Sequence, residues 1–251
     1  MIRTFVFIGI LLPGVAWSDD RRTGYDDMSP DLQALQEDPM NPGTFWVLDG
    51  ERLWSEPAGS AAQSCDACHG PAETSMQGVA ARYPSFDAPS SSAVDLPGRI
   101  ALCQSRHQKI AAPKDRADPD SLALLAYVTH QSRGLPITPD ADPRLAPARA
   151  VGAELFSSRM GQLNLSCAQC HDDNDGGYLA AARIPQAHPT GYPQYRLEWE
   201  TLGTLDRRLT GCMTGVRADR FPPGSPEMVS LELFLKSRAA GMTVETLPIR
   251  P

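Results

Sequence analysis

Aromatic residues are scarce, at 7% of 251 positions, and positive charge is in deficit: 23 Lys and Arg stand against 30 Asp and Glu, for a net charge of -7. Affinity for a phosphate backbone needs the opposite balance, so no nucleic-acid partner is expected. Beyond the first residues no apolar run approaches the roughly 20 positions of a spanning helix. Nor does any run alternate for long enough to demand a sheet, so the expected fold class is all-α with much loop. At 41% hydrophobic residues the chain has enough apolar surface for one or two cores, which excludes disorder and fibre.

The amino terminus reads as an export signal. Arg3 supplies the charge, Phe5 to Val15 the apolar run, and Ala16-Trp17-Ser18 a small-x-small cleavage site. A membrane anchor is the competing reading, but the run is short and Pro13 and Gly14 break its end. Residues 1–18 are therefore expected to be removed, leaving Asp19 at the start of a soluble, exported protein with no membrane span. The bacterial periplasm is its natural compartment.

Six cysteines fall in a telling pattern: Cys65 and Cys68, Cys103, Cys167 and Cys170, Cys212. Cys65-Asp66-Ala67-Cys68-His69 and Cys167-Ala168-Gln169-Cys170-His171 both match the C-x-x-C-H signature of covalent haem attachment. Two thiols three residues apart can each form a thioether to one haem vinyl group, leaving the next residue, His69 or His171, to offer its imidazole to the iron. A redox dithiol does not require the histidine, and a zinc site leaves its repetition unexplained. Two haem c groups are expected.

The chain is also duplicated. Gly50-Glu51-Arg52-Leu53-Trp54-Ser55 and Gly152-Ala153-Glu154-Leu155-Phe156-Ser157 lie 102 positions apart, as do Cys65 and Cys167. Their apolar pairs, Leu53 with Trp54 and Leu155 with Phe156, suit a haem edge or a helix crossing. Asp118-Pro119-Asp120 and Ser225-Pro226-Glu227, 107 apart, each supply a cap, a first-turn proline and an acid facing the helix dipole. The helices they open are expected to run through Val128 toward Gly134 and through Leu235 toward Gly241. Four prolines between Gly134 and Arg149 read as a stiff linker. The expected domains are 19–135 and 150–251, joined by 136–149, each wrapped around one covalently attached haem.

The leftover cysteines share a frame, with Arg99 four residues before Cys103 and Arg208 four before Cys212. Each follows its haem histidine and precedes the last helix of its half, where a c-type domain delivers the sixth ligand. Met213 and His107 are rival donors, and a Cys103–Cys212 disulfide or inert buried thiols are the bland alternative. Recurrence in both halves favours the thiolate, which ferric iron holds deprotonated and which lowers the reduction potential. Arg207, Arg208, Arg217 and Arg220 surround Cys212 in the sequence, an unusual concentration of cations in an acidic chain.

With Pro193-Gln194-Tyr195-Arg196-Leu197-Glu198-Trp199, Leu202-Gly203-Thr204-Leu205 and Arg207-Arg208-Leu209-Thr210-Gly211-Cys212 added to those motifs, nearly the whole mature chain resembles the dihaem A subunits of SoxAX cytochromes, from the thiosulfate-oxidising Sox system. The resemblance implies two tandem cytochrome c-like domains and an L-cysteine S-thiosulfotransferase activity joining thiosulfate to a cysteine of a SoxYZ carrier. It implies a smaller SoxX-like monohaem cytochrome as partner. Cys212 matches the active-site cysteine that ligates the catalytic haem and occurs as a persulfide, Arg208 the arginine beside it, and Cys103 the axial ligand of the other haem. A plain dihaem electron carrier is the leading alternative, and a dihaem peroxidase with His188 as its base a weaker one.

Overall fold

In the computed structural model, which describes residues 20–111, 116–180 and 182–251, the same chain of elements occurs twice. Each half has an opening helix (Pro42–Ser55; Ala146–Ser157), a short motif helix (Cys65–His69; Cys167–His171) and a two-stranded hairpin (Ser85–Asp87 with Ser92–Val94; Gln194–Arg196 with Thr201–Gly203). A cysteine helix (Leu96–Cys103; Leu205–Gly215) and a closing helix (Pro119–His130; Pro226–Arg238) complete it. The expected export signal lies outside the described residues. Among the described residues no helix is long and apolar enough to cross a membrane.

Local chemistry sets these boundaries. The hydroxyls of Ser64 and Ser166 accept from the backbone N–H of Ala67 and Gln169, so both motif helices start where their first cysteine stands. Asp118 and Ser225 cap the closing helices through Ser121 and Met228, with Pro119 and Pro226 following as expected. Those helices stop at His130 and Arg238, short of the predicted glycines. Gly134 and Gly241 have positive φ and lie in the turns beyond, where the backbone leaves each helix to pair with the other half.

The core of each half is a crossing of its opening and closing helices. A Cβ on Gly50 would stand 2.1 Å from the carbonyl oxygen of Ala123, and one on Gly152 2.0 Å from that of Ser230. Only glycine permits such an approach. Trp54 meets Tyr127 edge-on at 6.1 Å beside the first crossing, and Phe156 meets Phe234 at 5.3 Å beside the second, so the paired apolar residues serve the crossings.

Reciprocal backbone bonds join the halves. Gly134 N–H donates to Val244 and Val244 N–H to Leu135; Ile137 N–H donates to Met242 and Gly241 N–H to Ile137. Pro136 and Thr243 form a bridge at the middle of this ladder, and Ile137 is 1% exposed against Ala239, Met242 and Val244. Within 136–149, then, the chain is pinned at one end and enters the second opening helix at Ala146 at the other. Arg116 adds an ionic tie, pairing with Asp95 of one half and Asp206 of the other.

The helix-rich fold agrees with the expected class, with one correction. Among the described residues there are seven strands of two or three residues each, including Ile249–Arg250 laid parallel to Gln194–Arg196. Strands this short never show two full periods of alternation, so no sheet signal was available in the sequence.

Because the second crossing leaves no room for a methyl group, Gly152→Ala is expected to destabilise the haem-loaded protein by about 3 kcal/mol. Thermal unfolding followed by circular dichroism measures this, and an unchanged Tm would contradict the packing described.

Candidate functional site

Each half has a large open cavity lined by its motif helix and its cysteine helix. The first, of about 1060 Å³, is lined by Cys65, Cys68, His69 and Cys103 among apolar side chains such as Ile100, Leu124 and Val128. The Trp54 ring lies 5.7 Å from that of His69, and its Nε1–H donates to the Gly70 carbonyl at 3.1 Å. Burial pushes the Cys65 thiol up to about 11, with Cys103 adding to the shift, which places those two sulfurs near one another.

The second cavity, of about 1680 Å³, contains His171, Arg208 and Cys212 in its wall, with Tyr192 and Arg196 beside them. His171 Nδ1–H donates to the Pro185 carbonyl oxygen at 2.6 Å. That bond fixes the ring and leaves Nε2 with its lone pair as the donor atom. Cys167 and Cys170 are half-buried behind it, Cys167 against Phe156 and Leu231. Burial pushes the Cys167 thiol up to about 11, and Cys212 contributes next. Arg208 and Cys212 stand one turn apart on the Leu205–Gly215 helix and share its cavity-facing side.

Both donor sets suit a covalent haem c: two thiols with an imidazole one residue on, and a further cysteine in the wall of the cavity that imidazole lines, among apolar side chains in the first half and a more charged wall in the second. Cys103 and Cys212 line different cavities, and all six cysteines are free thiols, which removes the disulfide reading. Of the rival donors, Met213 is buried in the core with Phe156 and Leu231, away from the cavity wall, whereas His107 does line the first cavity beside Cys103. His130 is remote from both, its Nδ1 3.0 Å from the Thr246 hydroxyl.

The structure separates the four arginines around Cys212. Arg208 alone of the four faces the cavity. Arg207, one residue along the helix, turns outward to lie 4.1 Å over the Trp199 ring, and Arg217 and Arg220 follow the helix end away from it. In their place the fold brings Arg22, Arg183, Arg196 and Arg250 to the wall from distant segments.

Two covalent-haem motifs in a duplicated helical scaffold, with a further cysteine lining the cavity of each, define a tandem c-type cytochrome. The SoxA/TsdA cytochrome c domain matches residues 49–137 and 151–244, and the chain belongs to that family. It is 33% identical over 234 residues to the L-cysteine S-thiosulfotransferase subunit SoxA of Rhodovulum sulfidophilum, covering 92% of this chain and 81% of the relative. The SoxA of Pseudaminobacter salicylatoxidans is 36% identical over 212 residues, 84% and 73% of the two chains. The crystal structure of SoxXA from P. pantotrophus superposes with a TM-score of 0.87 at 29% identity, covering 92% of this chain and 87% of that one.

Beside the first cavity Asp87, 2% exposed, receives Arg106 at 2.7 Å and Arg99 at 2.8 Å. Arg106 foremost, then the Ser90 hydroxyl, holds its carboxyl far below the ordinary value of 3.8. A carboxylate that binds protons more weakly folded than unfolded contributes stability above about pH 4 and loses it as the pH falls further. Asp87→Asn is therefore expected to lower Tm at neutral pH and flatten its decline between about pH 4 and 2. An acid arm of unchanged slope would contradict this.

Proposed function

We propose that the chain is the dihaem catalytic subunit of an exported L-cysteine S-thiosulfotransferase that attaches thiosulfate to a cysteine of a SoxYZ-like carrier. In this reading 1–18 is a cleaved signal, and domains 19–135 and 150–251 each carry one haem c across the 136–149 connection. Cys65 and Cys68 would attach the first haem, with His69 and Cys103 as the residues that would donate to its iron. Cys167 and Cys170 would attach the second, with His171 and Cys212 as its donors. A SoxX-like monohaem cytochrome pairs with it and passes electrons onward in the periplasm.

One observation carries the catalytic part: Arg208 and Cys212 present a guanidinium and a sulfur on one face of one helix, into the cavity that His171 also lines. Thiosulfate is a dianion, and the Arg208 fork binds its sulfonate oxygens and points the outer sulfur at Cys212. The Cys212 thiolate and that sulfur join in a thiosulfonate disulfide, with two electrons leaving. Two one-electron acceptors are needed for those electrons, which bound haem and the partner cytochrome would supply, one electron each. A carrier thiolate then attacks the outer sulfur, takes the S–SO3 group and frees Cys212. Leu209 and Leu235 add apolar surface to the same cavity wall. A persulfide on Cys212 is compatible with the same exchange chemistry.

Cys212→Ala in the reconstituted complex is expected to lower transfer of thiosulfate to the carrier by a factor of about a thousand or more, with both haems still attached. Mass spectrometry of the carrier and pyridine haemochrome spectra give the two readouts. Undiminished transfer would reduce the protein to an electron carrier.

A further inference from the structure

The duplication has a second spacing. The hairpin and cysteine helix recur at 109 positions, relating Tyr83 to Tyr192, Arg99 to Arg208 and Cys103 to Cys212. At that spacing the last residue of the first strand is Asp87 in one half and Arg196 in the other, and both occupy the same hairpin register, opposite Ser92 and Thr201. Arg106, the second partner of Asp87, corresponds to Gly215.

This exchange reverses the electrostatics beside the two cysteines. In the first half the arginine one turn before the cysteine is neutralised: Asp87 accepts Arg99 at 2.8 Å, and the Tyr83 hydroxyl accepts its Nε–H at 3.1 Å. In the second half a carboxylate is replaced by a second guanidinium. Arg208 has no acidic partner among the described residues. Arg196 is 13% exposed, lies 5.1 Å over the Trp199 ring, and has one acid near it, Glu198 at 3.0 Å from Nε, itself 54% exposed. Burial and then Arg208 lower the Arg196 pKa, as expected of two cations sharing one wall. Holding two guanidinium groups together out of water is costly unless an anion lies between them.

We infer that Arg196 is a second substrate-positioning residue, which with Arg208 forms a two-fork cradle for a doubly charged sulfur oxyanion at Cys212. Asp87 fills the corresponding place in the first half with the protein's own carboxylate. Only one of the two sulfur sites is therefore open to an anion. The inference rests on the proposed thiosulfate chemistry, and a haem propionate is the other anion that two such forks could receive.

Calorimetric titration of thiosulfate into the oxidised, haem-loaded heterodimer, without carrier, tests it. Arg196→Gln is expected to weaken binding about tenfold, with Arg196→Lys recovering part of the loss. Glu198→Gln, a change at an exposed position, is expected to tighten binding about threefold because it removes the competing carboxylate. Wild-type affinity in Arg196→Gln, with or without a shift in reduction potential, would overturn the inference and leave Arg196 to a propionate or to structure. Should Arg196→Gln not fold, unchanged or weaker binding in Glu198→Gln would overturn it instead. Loss on Arg208→Gln but not on Arg196→Gln sinks this inference alone, whereas a wild-type complex that binds no thiosulfate sinks the functional reading beneath it.

Discussion

Two backbone contacts govern this molecule: the approach of Gly50 to the Ala123 carbonyl and of Gly152 to that of Ser230. Each lets an opening helix and a closing helix touch without an intervening side chain. Because the motif helix follows the first of these and the cysteine helix precedes the second, the crossing fixes where imidazole and sulfur stand relative to each other. Aromatic pairs flank both crossings and resist their shear. The reciprocal ladder centred on Pro136 and Thr243 then locks one half against the other.

On this symmetric scaffold the chemistry is asymmetric. In the first cavity Arg99, the arginine one turn before the cysteine, is balanced by Asp87, and the His69 ring has Trp54 5.7 Å away. The second is larger, has five arginines in its wall against Asp27 and Glu198, and brings its sulfur into that wall. A duplicated domain thus divides its labour through a few side chains, most economically the exchange of aspartate for arginine at one hairpin position.

Much of this was legible in the sequence. The haem motifs are strictly local, so spacing alone singles out Cys65, Cys68, His69, Cys167, Cys170 and His171 as the candidates, and the fold places each trio on one short helix. Caps and first-turn prolines located the closing helices, and the 102-residue repeat gave the tandem architecture. What was not legible depends on the offset changing along the chain, from 102 at the motifs to 109 at the hairpins and 107 at the closing helices. A comparison at either of the outer spacings misaligns Asp87 and Arg196, and three-residue strands carry no period to correct it. Of the four arginines around Cys212 in the sequence only Arg208 lines the cavity, since neighbours in sequence leave a helix in different directions, and the other cations of the wall come from residues 22, 183, 196 and 250.

The central claim is that a thiolate stands opposite imidazole in each half, with the second exposed to substrate. Low-temperature electron paramagnetic resonance of the oxidised, haem-loaded protein tests it most directly. The account predicts two low-spin signals of imidazole–thiolate type, one abolished in Cys103→Ala and the other in Cys212→Ala. Signals of imidazole–thioether or bis-imidazole type, or a pair indifferent to both substitutions, would contradict it.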